Sequence, residues 1–114
     1  IVNIIIKMDT KLITNNKKQK QMKTRLKVEN MRSPRTGNNV ANQFIIYTDK
    51  GKYFQSYSSI IAFIRKKDNK VFLDSYYWDY SRTTNKYRNE FLNEYTKETR
   101  EKIKTKEYIL TNLN

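Results

Sequence analysis

Trp78 to Tyr95, WDYSRTTNKYRNEFLNEY, is the stretch that decides how this chain is read, because it combines a helix start, an apolar face and a dense group of aromatics. Ser81, Thr83 and Thr84 each carry a side-chain oxygen able to accept from an orphan amide at a helix N-terminus, and Asp79 sits where the helix dipole favours an anion. The spacing predicts a helix starting near Thr84. Beyond it, Tyr87, Phe91 and Tyr95 recur every fourth residue with Leu92 beside them, while Lys86, Arg88, Glu90 and Asn93 point elsewhere. One apolar stripe of this kind needs a sheet to cover.

The sheet is legible upstream. From Gln43 the period becomes two: QFIIYT (43–48), then Asp49-Lys50-Gly51, then KYFQSY (52–57), a hairpin in which Gly51 supplies the positive φ of the turn. Phe44 and Ile46 alternate with Ile45 and Tyr47, so both faces of the first strand carry bulk. Ile60 to Ile64 is a β-branched run, followed by the charged turn RKKDNK (65–70) and VFLDSYYW (71–78), which reads as a second hairpin. The expected fold is α+β: a small antiparallel meander of about four strands with one main helix across one face. Downstream, Thr96 starts a short surface helix with Lys97–Glu101 and Glu98–Lys102 pairs at i,i+4 spacing and only Ile103 as an apolar contact. Tyr108 to Leu113 then alternates imperfectly, as a fifth, closing edge strand would.

Upstream of the hairpin, Met31 to Asn42 (MRSPRTGNNVAN) holds the only Pro and one of the two Gly residues, and reads as a solvated loop in which Arg32 and Arg35 bracket Pro34. Residues 1–30 follow an apolar start, IVNIII, with cations from Lys11 to Lys27 opposed by Asp9 and Glu29 alone. They read as a basic tail that is disordered or folds on a phosphate backbone, or as a non-native extension ahead of a start at Met31. The single α+β domain is then 31–114.

At 114 residues, with 37% hydrophobic and 13% aromatic residues, the chain supports one domain with a modest core. Twenty-four Lys and Arg against 11 Asp and Glu give a net charge of +13, which suits a polyanionic partner and also suits solubility alone. There is no Cys and no His, so thiol and imidazole chemistry are excluded. No apolar run approaches the roughly 20 residues of a membrane-spanning helix, so no membrane partner is expected and the protein reads as cytoplasmic.

Three pieces, SPRTGNNVANQFII (33–46), YFQSYSSIIAF (53–63) and WDYSRTTNKYRNEFL (78–92), together resemble a family of short bacteriophage proteins known only as a domain of unknown function. In that family a Ser-Tyr pair before the Ile-Ala strand, here Ser56 and Tyr57, and a Thr-Thr pair opening the helix, here Thr83 and Thr84, recur. Many relatives carry His where this chain has Tyr87, so a role resting on an imidazole does not carry over. The resemblance implies a phage origin and a single domain, and supplies no mechanism.

Catalysis needs convergent groups, and the carboxylates near the aromatic cluster are Asp74 and Asp79, separated by an aromatic run. They could hold a metal; the preferred reading has Asp79 capping the helix and Asp74 solvated or paired with Arg82 or Arg88. No Gly-rich phosphate loop, serine elbow or carboxylate–lysine nuclease pattern occurs. A non-enzyme without metal or cofactor is expected. Nucleic-acid binding fits better: Arg82, Lys86 and Arg88 would contact phosphate, Tyr76 or Tyr80 would stack on a base, and Arg65, Lys66 and Lys67 would add charge at a hairpin tip. Trp78 and Phe91 read as core. The rival is a protein-interaction module that modulates a host protein, since exposed Tyr and Arg also dominate interface hot spots.

Overall fold

The hairpin read from residues 43–57 forms the middle of the sheet, with β2 (Asn39–Thr48) and β3 (Gly51–Ser56) pairing Thr48 with Gly51 and Gln43 with Ser56. Gly51 has φ 150°, and a Cβ there would lie 2.1 Å from the Ile64 carbonyl oxygen, so the turn admits no side chain. The structure, a computed structural model, describes residues 26–114. β4 (Ser59–Arg65) returns along β3 and β5 (Val71–Asp74) along β4, the second hairpin closed by Arg65 donating twice to Asp68, at 2.8 and 3.0 Å.

One strand lies outside the expected four and the fifth expected from Tyr108. β1 (Lys27–Arg32) pairs antiparallel with β2, Lys27 opposite Tyr47 and Asn30 opposite Phe44. A strand therefore lies partly inside the stretch expected as tail. An edge strand needs little apolar pattern: β1 buries only Met31, leaves Val28 exposed and is otherwise polar, with Lys27 and Glu29 paired at 3.0 Å. The rest of that basic stretch, residues 1–25, lies outside the described residues. The expected loop of 31–42 shortens to Ser33–Asn38, closed by Gly37 N–H donating to the Ser33 carbonyl at 2.8 Å, and Arg32 spends a donor on the Gly37 carbonyl.

After β5 the chain forms α1 (Arg82–Leu92) and α2 (Thr96–Lys104), then β6 (Tyr108–Thr111), which pairs parallel with β5. Among the described residues the result is one six-stranded mixed sheet in sequence order with two helices. The meander is antiparallel as far as β5. β6 is parallel because two helices separate it from its neighbour, enough chain for a crossover rather than a hairpin.

α1 starts at Arg82 with Ser81 as its cap, the Ser81 hydroxyl accepting from Thr84 N–H at 3.1 Å. It ends at Leu92, with Asn93 in the left-handed conformation, so Tyr95 falls beyond the helix and stands 79% exposed instead of continuing the stripe. Tyr87 and Phe91 do cover the sheet, Phe91 stacking on Phe54 at 5.8 Å, over a floor of Phe54, Ile61, Ala62 and Leu73.

The expected α2 pairs are replaced by others. Glu98 accepts from the Tyr95 N–H at 2.8 Å, and Lys102 reaches back to Glu94 at 2.9 Å. Glu94, almost wholly buried, also accepts from the Thr99 and Tyr108 hydroxyls, at 2.5 and 2.7 Å, so one carboxylate joins the end of α1, α2 and β6. Burial alone would raise its pKa; the three hydrogen bonds outweigh that and hold it below the ordinary carboxylate value. The Glu94 hydrogen bond pushes Lys102 up to about 12, and burial pushes Tyr108 up to about 12.

Candidate nucleic-acid interface

The tyrosines that follow β5 are held by a buried carboxylate. Asp74 is 2% exposed; its Oδ2 accepts from the N–H groups of Tyr76 (3.1 Å) and Tyr77 (2.9 Å), and its Oδ1 from Leu113 N–H (2.8 Å) and Asn114 Nδ2 (3.0 Å). It is neither solvated nor paired with Arg82 or Arg88. A short polar acid at a strand end bonds the amides two and three residues on and so fixes a turn. Asp79 does not cap α1 either. It accepts from Asn85 Nδ2 at 2.6 Å and from Arg100 at 3.1 Å, which bolts the start of α1 to α2.

This turn presents Tyr76 and Tyr80 at the surface, 72% and 60% exposed, with Tyr77 between them. The three rings contact one another with centroids 4.7, 5.3 and 6.3 Å apart. Across from them lies a residue outside the expected site. Tyr57, at the β3–β4 turn, is 54% exposed and has φ 56°. A bulky aromatic in the left-handed region is strained, and such strain concentrates where a side chain is needed in one place.

Tyr57, Tyr77 and Tyr80 wall a cleft of about 290 Å³ whose lining includes Ser56, Ile61 and Thr84. Beneath it the buried Ser56 and Thr84 hydroxyls are 2.9 Å apart. Ser56 of the Ser-Tyr pair and Thr84 of the Thr-Thr pair, 28 positions apart in sequence, therefore meet at one spot. Gln43, directly opposite Ser56 in the ladder, is fully buried, and neither of its amide atoms has a hydrogen-bond partner among the described residues.

A family of unknown function, DUF8033, matches residues 26–108. The chain belongs to DUF8033. No curated protein and no solved structure matches it. The match to DUF8033 spans β1 to the first residue of β6, so the Tyr57 turn, the Tyr76–Tyr80 turn and the N-terminus of α1 all belong to the family's domain.

The cations expected in the DUF8033 site part company. Arg82 and Lys86 are exposed on α1, one turn apart, and line an open groove of about 720 Å³ running toward the start of α2, together with Asn85, Asn89 and Glu90. Arg88 is not at the surface. It has no exposure, stacks 5.3 Å from the Trp78 ring centre, and donates to the Trp78 carbonyl, to Asn89 Oδ1 (2.9 Å) and to Thr96 Oγ1 (2.9 Å). Burial holds its pKa below the ordinary arginine value. Thr84 and Arg88, four apart, run along the same buried side of α1 as Tyr87 and Phe91, so Arg88 cannot reach a phosphate without leaving its place in the fold.

Arg65 is occupied by Asp68 and by the Phe72 ring, 5.0 Å away. Lys66 and Lys67 are exposed at the β4–β5 turn, at the opposite end of β5 from Tyr76. Tyr76, Tyr80, Arg82 and Lys86 thus form one neighbourhood, to which Tyr57 is added; Arg65, Lys66 and Lys67 form another, and Arg88 belongs to neither. Sequence did hold one signal for Tyr57: it stands at a two-residue hairpin turn where Gly or Asn is the ordinary choice.

Proposed function

We propose that this domain is a small, basic, non-catalytic protein that binds single-stranded nucleic acid, acting in the bacteriophage setting its sequence resemblance implies. The observation that carries the reading is the set of three exposed tyrosines: Tyr57 and Tyr80 line one cleft, and Tyr76 packs beside it against Tyr77 and Tyr80, on turns fixed by Asp74 and by the β3–β4 hairpin. Exposed rings stack on unpaired bases of any sequence, each contributing about 1–3 kcal/mol. Arg82 and Lys86 follow directly along α1 and supply charge for the phosphates.

Fluorescence anisotropy of the full chain against single-stranded DNA, duplex DNA and RNA across a salt series tests this. Single strands should bind at micromolar concentrations or below and more tightly than duplex, with affinity falling linearly on a log–log salt plot. Replacing Tyr76 and Tyr80 together by Ala should weaken single-strand binding by about tenfold or more. Equal binding of duplex and single strands, unaffected by that double substitution, would sink the proposal.

A protein partner, such as a host protein that the domain modulates, is the second reading. It is favoured by Glu90 and Glu98 in the groove beside Arg82 and Lys86, which a polyanion would meet with repulsion. Binding to a host protein that survives nuclease treatment and is lost in the same Tyr76/Tyr80 variant would support it over the first.

A further inference from the structure

The cleft between Tyr57 and the Tyr77–Tyr80 turn has two walls of independent origin. Tyr57 keeps its left-handed conformation because its backbone is held at both ends. Its N–H donates to the Asn42 carbonyl at 2.7 Å, and its carbonyl accepts from the Gln55 side-chain amide at 2.8 Å. The other wall is set by Asp74, which accepts from the Tyr77 N–H at 2.9 Å. Tyr77 and Tyr80 touch each other, with ring centres 5.3 Å apart, and among the described residues the Tyr57 ring stacks on neither. A slot held open between preformed aromatic walls suits a planar guest, since little has to be ordered on binding.

The lining is polar in part but carries no charge. At about 290 Å³ the cleft falls just under the roughly 300–1,000 Å³ of pockets that take drug-sized ligands, which leaves room for one small ring system. Ser56 and Thr84 line it with their hydroxyls 2.9 Å apart, and among the described residues neither hydroxyl has a second hydrogen-bond partner. Their mutual bond consumes one hydrogen and one lone pair, so the pair keeps a donor and further acceptor positions for a guest. A nucleobase has the matching chemistry: two π faces and an uncharged edge of donors and acceptors. A phosphate or carboxylate finds no cation in this lining, and a plain hydrocarbon leaves the hydroxyl pair unused. The charge stands outside, where Arg82 follows Tyr80 by two residues and Lys86 lies one turn beyond.

Resting on the single-strand reading above, we propose that the cleft takes in one unpaired nucleobase, turned out of the strand between Tyr57 and Tyr80, with its polar edge against the Ser56–Thr84 hydroxyl pair. Stacking on exposed rings tolerates any base, whereas hydrogen bonds to a base edge tell one base from another. The domain therefore prefers particular bases at a single position and holds the rest of the strand by stacking and charge.

The test is nuclear Overhauser spectroscopy on the full chain, with isoleucine and threonine methyls labelled, mixed in turn with short oligothymidylate, oligodeoxycytidylate and oligodeoxyadenylate. Cross-peaks from the base protons of the tightest-bound oligomer to the methyls of Ile61 and Thr84 are expected. These two residues are 1% and 2% exposed, so a base stacked only on the outside of Tyr76 cannot produce them. A bound oligomer without these cross-peaks overturns the proposal and leaves surface stacking standing. No binding of any oligomer removes the single-strand reading with it, and points the cleft to an aromatic side chain of a protein partner. In parallel, S56A/T84V removes both hydroxyls together, which costs little stability because no polar partner is left behind. The variant should bind the preferred oligomer about threefold to tenfold more weakly and the others nearly as the parent does, with a thermal midpoint close to the parent's. A parent that binds all three oligomers alike, or a variant that keeps the parent's preference, counts against the proposal.

Discussion

Tyr57 sets local stability against position. The left-handed conformation costs an ordinary residue about 1 kcal/mol, and Asn tolerates it well. Tyr57→Asn should therefore leave the domain as stable as the parent or raise its unfolding free energy by up to about 1 kcal/mol in urea melts, while weakening single-strand binding several-fold. A loss of both together would mean that the ring is a packing element rather than a contact surface. At this scale the sequence was legible wherever a residue type has one strong preference: Gly51 at its turn, Ser81 before a helix, Phe91 in the core. It was not legible for Arg88 and Asp74. A charged residue defaults to the surface, and only the converging partners, the Trp78 ring and carbonyl for one and four donors for the other, overrule that default.

Between elements, the Glu94 carboxylate has a definite pH signature. Its folded pKa lies below the unfolded value, so the unfolded chain binds the proton more readily, and the stabilisation is full above about pH 4.5 and is lost as pH falls through the folded pKa. Thermal melts between pH 6 and 3 should show a declining midpoint, and Glu94→Gln should flatten part of that decline while costing about 2 kcal/mol at neutral pH. A mutant with the parent's pH dependence would remove Glu94 from the account. This joint was unreadable from spacing because Glu94 looks like a solvent-facing residue just past a helix, and its partners Thr99, Lys102 and Tyr108 come from two later elements. Period-two strands with hydrophobic contrast, β2 to β5, were readable. β1, whose pattern is one of edge protection, was not.

Among the described residues, the two groups of cations expected to meet nucleic acid lie at opposite ends of the sheet. Lys66 and Lys67 sit at one end of β5, the tyrosines and α1 at the other, and surface charges farther apart than a Debye length of about 8 Å at physiological salt act nearly independently. Reversing Lys66 and Lys67 to Glu should lower single-strand affinity less than about threefold near physiological salt, whereas reversing Arg82 and Lys86 should lower it about tenfold or more. Equal losses in the same anisotropy titration would mean a strand that runs the length of the molecule. Composition foretold the charge but not this division, because only topology decides which turns share an end.

The turn that carries Tyr76 and Tyr77 leans on two residues at the far end of the sequence. Asp74 takes two of its four hydrogen bonds from Leu113 and Asn114, and Asn114 also bonds both backbone groups of Ile60, at 2.7 and 2.9 Å. The hairpins from β1 to β5 make contacts close in sequence, whereas the bonds of these two residues to Asp74 and Ile60 are long-range and close later. The strands up to β5 can therefore pair before the tyrosine turn is locked, because the contacts that lock it span 39 and 40 residues of sequence.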